Sequence, residues 1–96
     1  MGDEHKLIRE RERAHLAKQV LDNPVWQEAW TRHEENLRGH MEDPASSDEV
    51  VLTAHKALVV LKRVKRHIES TIDTGKMAEM ELERSKDGNA RGSQEH

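Results

Sequence analysis

His33 and His40 are seven residues apart, two turns of a helix, which separates them by about 10 Å along its axis. A single metal ion cannot be shared across that distance. The run His33-Glu34-Glu35-Asn36-Leu37 is not the zinc-protease helix motif, because its fifth position is Leu37 where that motif needs a second histidine. His55 and His67, twelve apart, also miss the spacing of ligands on one helix. The absence of cysteine removes thiolate sites and disulfides. Neither a metal nor another cofactor is expected. Ser46 and Ser47 read as part of a helix cap, and Ser70, Thr71 and Thr74 fall on a helix or at its end, so none is placed as a nucleophile. Gly75-Lys76 has neither the upstream glycine nor the preceding strand of a phosphate-binding loop. The expectation is a protein that is not an enzyme.

The densest positive cluster is Lys62, Arg63, Lys65 and Arg66 around Val64, with Lys56 upstream. Such clusters neutralise nucleic-acid phosphates and make binding fall with salt. A structural role competes. With Val64 and Ile68 on a buried stripe, Lys62, Arg63 and Arg66 take its flanks, within reach of Glu28, Glu34 or Glu35 on a facing helix. That helix is acidic, with Arg32 and Arg38 set against Glu28, Glu34, Glu35, Glu42 and Asp43. No aromatic residue that could stack a base stands near the cluster. Trp26 and Trp30, one turn apart, suit either the plug of a thin core or an interface hot spot.

These residues need helices to place them. Val50, Ala54, Ala57, Leu61, Val64, Ile68, Thr71 and Ile72 recur every three or four positions, as one face of a helix does. Trp26, Trp30, His33, Leu37 and His40 or Met41 form an earlier stripe of the same period. Two stripes joined by a short connection predict an antiparallel helical hairpin, whose packing falls to Trp26, Trp30, Leu37, Val50, Ala54, Leu58, Leu61, Val64 and Ile68. A first helix is predicted over residues 4–22, with Leu7, Ala14, Ala17 and Leu21 on one face and Arg9–Glu12 and Glu10–Arg13 as surface pairs. Asn23 and Pro24 suit an N-cap and first position, starting a second helix over 24–42. Ser46 with Glu49 has the form of a capping box and starts a third helix over 47–74. Gly75 fits the left-handed residue beyond its end. A short fourth helix over 76–85, with Met77, Met80 and Leu82, and a disordered tail over 86–96 complete a single domain spanning residues 1–85.

With 96 residues, 33% apolar and 36% charged, and with two tryptophans but no phenylalanine or tyrosine, such a hairpin has no third layer for its apolar face. A core of this size yields roughly 3–5 kcal/mol at most. Without disulfides or a metal, the remaining remedy is association, with itself or with a larger protein. A net charge of −3 gives no global drive toward nucleic acid or anionic membrane. No apolar run approaches the roughly 20 residues of a membrane span. The charged start Asp3-Glu4-His5-Lys6 is neither a signal-peptide core nor a myristoylation signal.

Leu16-Ala17-Lys18-Gln19-Val20-Leu21-Asp22-Asn23-Pro24-Val25-Trp26-Gln27-Glu28-Ala29-Trp30 and the later Thr74-Gly75-Lys76-Met77-Ala78 together resemble small helical proteins encoded among the head and DNA-packaging genes of tailed bacteriophages. The resemblance covers roughly residues 14–82 and rests on structural motifs, so it carries no catalytic residue. It implies a protein made in the host bacterial cytoplasm, with the virion as a second location. The implied role is virion assembly, DNA packaging or DNA delivery. Its partners would be further copies of itself or a larger phage structural or packaging protein. Two other roles fit the same residues: a small DNA-binding subunit of the packaging terminase, using Lys62, Arg63, Lys65 and Arg66, and an inhibitor directed at a host protein.

Overall fold

A computed structural model describes residues 2–94, with side chains described over 3–86. It is all-α, and the described residues contain no strand: α1 is Gly2–Asp22, α2 Pro24–Glu42 and α3 Asp48–Gln94. The chain divides into two compact units. One is Val20–Ile68; the other joins the stretch up to Gln19 with the stretch from Glu69 onward.

Val20–Ile68 holds the hairpin that the two stripes predict, α2 against the first part of α3. Asn23 is the single non-helical residue before α2. Its backbone is extended (φ −69°, ψ 123°), and its side chain accepts from the amides of Val25 at 2.8 Å and Trp26 at 3.2 Å. Pro24 follows at the first helical position, where its missing N–H costs nothing. Gln27 Nε2 donates to the Leu21 carbonyl at 2.8 Å, satisfying one of the last acceptors of α1. Asn23→Ala should therefore cost about 1 kcal/mol, read as a lower urea midpoint at unchanged slope.

At the other end of α2, the Asp43 amide donates to the Gly39 carbonyl at 3.0 Å, and Asp43 Oδ1 accepts from the Ala45 amide at 2.9 Å. The cap of α3 lies one residue later than expected. Ser47, not Ser46, accepts from the Val50 amide through Oγ at 3.2 Å and from the Val51 amide through its carbonyl at 3.0 Å. The third helical residue is then Val50, which has no side chain to reach back, so no capping box closes. Asp48 and Glu49 act on the helix dipole instead.

The predicted stop at Gly75 is absent. α3 runs through it, without a positive φ and with no separate fourth helix, and reaches Gln94 across most of the expected tail. Glu95 and His96, the end of that tail, lie outside the described residues. Gly75 serves another purpose in its unit: it is buried where α3 meets Glu10 and Ala14 of α1. Ala78, one turn on, is buried as well. The residues over 4–17 are thus packed on the second part of α3, with Leu7, Ala14 and Ala17 half-buried as their shared face implies. Among the described residues of α1 the ion pair is Lys6–Glu10, at 4.0 Å, in place of the two expected i,i+3 pairs.

No described helix is long and apolar enough to cross a membrane.

Candidate interaction face

The seam of the hairpin in Val20–Ile68 is narrow. Ala54 and Leu58 are its buried members, and Leu58 is the only large side chain buried among the described residues. Trp26, Trp30, Leu37, Leu61 and Ile68 are half-buried, while Val50 and Val64 are exposed. The predicted packing residues are therefore brought onto one hairpin, and most of them sit at its edge. Trp26 and Trp30 pack on each other with ring centroids 5.7 Å apart and planes tilted by 37°. Such a pair adds about 0.5–1.5 kcal/mol beyond its buried area.

On one side of the seam two open apolar troughs follow each other. The first lies between Leu37 and His40 of α2 and Val50, Thr53, Ala54 and Ala57 of α3, with Glu49 at its rim. The second lies between Trp26, Ala29, Trp30 and His33 of α2 and Leu61 and Val64 of α3. Two rows of residues build this side. Trp26, Ala29, His33, Leu37 and His40 are spaced three, four, four and three, and so are Val50, Thr53, Ala57, Leu61 and Val64. That spacing keeps each row on one line of its helix, about 21 Å long. Of these ten positions none is Asp, Glu, Lys or Arg, in a chain whose residues are 36% charged. The stripes are legible in the sequence, but this sidedness is not, because it depends on which edge of each stripe the seam uses.

The positive cluster does not flank the seam as a set of salt bridges. Glu28 and Glu34 are each taken by the arginine one turn along their own helix, Arg32 and Arg38, both at 2.9 Å. Arg38 Nη2 donates to Glu34 Oε1 and holds that carboxyl below the ordinary value of 4.5, with Lys62 and Lys65 adding weaker attraction. No lysine or arginine of α3 comes within ion-pair distance of either acid among the described residues. Lys65 Nζ lies instead 5.9 Å from the centroid of Trp30, a cation–π contact. An aromatic ring thus stands beside the cluster after all. Lys62, Arg63 and Arg66 are exposed.

No family model matches this chain, and no curated protein or solved structure matches it either. Among the described residues no group of three or more His, Asp or Glu is placed to hold a metal ion. Two half-open rows of uncharged side chains can do one thing well, which is to bury themselves against another apolar surface.

Proposed function

We propose that this is a non-enzymatic protein that works through helix-mediated protein–protein contact. The observation that supports this is the uncharged double row on one side of the α2–α3 hairpin, left half-open in a unit whose buried core is little more than Ala54 and Leu58. Covering apolar surface contributes about 25 cal/mol per Å², so a partner on this side adds stability that the hairpin lacks alone. The setting proposed is that of a tailed bacteriophage, in virion assembly, DNA packaging or delivery, on the strength of the resemblance over residues 14–82. A photo-cross-linking side chain at position 64, in the cell that makes the protein, should yield a protein adduct. The same group at position 52, on the opposite side of α3, should not. Adducts at neither position, or equally at both, remove the reading.

A second reading is a DNA-binding subunit that contacts phosphate through Lys62, Arg63, Lys65 and Arg66. The exposure of Lys62, Arg63 and Arg66, with no ion pair to neutralise them among the described residues, favours it. Four phosphate contacts would give a slope of about −3 to −4 in log K against log salt on duplex DNA. Absence of binding at low salt excludes it.

A further inference from the structure

We infer that the occupant of the uncharged face is a second copy of this chain, set on it by a two-fold axis so that two hairpins make a four-helix unit. This rests on the reading of that face as a protein contact and names its partner. Three observations carry it.

The first is the charge pattern. In such a two-fold unit the inner rows of all four helices turn toward the axis, so a charge at an inner position is buried twice, once from each copy, with its symmetry mate across the axis. The two rows of five, with no Asp, Glu, Lys or Arg among them in a 36% charged chain, meet that condition.

The second is the charge of the helices themselves. α2 carries four acids against two basic residues, net −2, and α3 over residues 48–68 carries five basic residues against two acids, net +3. With each α2 laid across the partner's α3, every neighbouring pair of helices has opposite charge, and like helices fall on the diagonals. The two-fold arrangement thus repeats between copies the complementarity already present within one.

The third is width. A single helix laid in the troughs would cover the inner rows and leave the outer shoulders bare, where Val25 is 73% and Val60 56% exposed. A two-helix layer reaches both. The α2 helix, 19 residues, is about 28 Å long, and two packed helices are about 18–20 Å across. That is roughly 500–560 Å² in projection for each copy and about 1,000–1,100 Å² for the pair, at the threshold of about 1,000 Å² that a specific interface must clear.

The test is the mass of the full chain by sedimentation equilibrium, with variants at Ala57, the midpoint of the α3 row. The unmodified chain should be a dimer at micromolar concentration. Ala57→Glu and Ala57→Lys should each dissociate at least 100-fold more readily, and an equimolar mixture of the two should re-form dimers. A native chain that stays monomeric up to about 100 μM overturns the inference whatever the variants do. So do an Ala57→Glu chain that dimerises as tightly as the native one, and a mixture that stays monomeric. A purified monomer combined with a position-64 adduct to a different protein overturns the second copy and leaves the contact reading standing. No adduct at all removes both.

Discussion

Leu58→Ala is expected to cost the α2–α3 hairpin about 2–4 kcal/mol, which is most of the stability that so small a core can hold. Leu58 is 6% exposed and has no other buried large side chain beside it among the described residues. Its neighbour in the seam, Ala54, is already as small as a side chain with a β-carbon can be. Little is therefore available to collapse into the space vacated, and the cavity term adds to the lost burial. The readout specific to this unit is amide exchange over residues 50–66, which should accelerate about 30- to 1,000-fold at neutral pH, where 1.4 kcal/mol is a factor of ten. Leu52→Ala is the matched control. Leu52 is 53% exposed on the far side of the same helix, and its loss should change exchange by less than about threefold. Comparable effects from the two substitutions would mean that the seam does not run where Ala54 and Leu58 place it. A second copy on the open face raises the baseline for both variants and leaves their difference in place.

The parts of this fold legible in the sequence are those decided by local chemistry. Asn23-Pro24 announces a helix start because an amide oxygen and a ring without an N–H suit the first turn whatever lies around them, and the cap forms as expected. The period of the two stripes likewise needs only the helix repeat. What was not legible turns on choices between neighbours of equal chemistry. Ser46 and Ser47 are both able caps, and the shift to Ser47 follows from where the backbone turns after Asp43. Glu28 and Glu34 had arginines one turn away on their own helix as well as cations across the seam. The nearer partners won because i,i+4 pairs are held close by the helix itself. The uncharged side of the hairpin was written in the sequence as two identical spacings. It acquires meaning only once Ala54 and Leu58 are known to form the seam and the rows beside them to be open.

Gly75 separates local from tertiary reasoning most sharply, and its substitution is the second large effect expected. By helix propensity alone, replacing a mid-helix glycine with alanine should stabilise by about 1 kcal/mol. At Gly75 the sign should reverse. A β-carbon built there overlaps the Ala14 β-carbon and stands 3.0 Å from the Glu10 carbonyl oxygen. Neither obstacle is the end of a flexible side chain, so α1 and α3 must move apart along their contact. Gly75→Ala is expected to destabilise its unit by about 1–3 kcal/mol net, and Gly75→Leu to release residues 4–17 from α3 altogether. Gly39, in α2, supplies the comparison. A β-carbon there meets nothing within 4 Å, so Gly39→Ala should raise stability by about 0.5–1 kcal/mol. Thermal melts of the two alanine variants, followed by circular dichroism, should therefore shift in opposite directions. Ala14→Gly combined with Gly75→Ala moves the β-carbon from one helix to the other and should recover part of the loss. A Gly75→Ala chain that melts above the native protein would restore the glycine to what the sequence alone suggested, a residue chosen for its backbone and not for the closeness of a neighbouring helix.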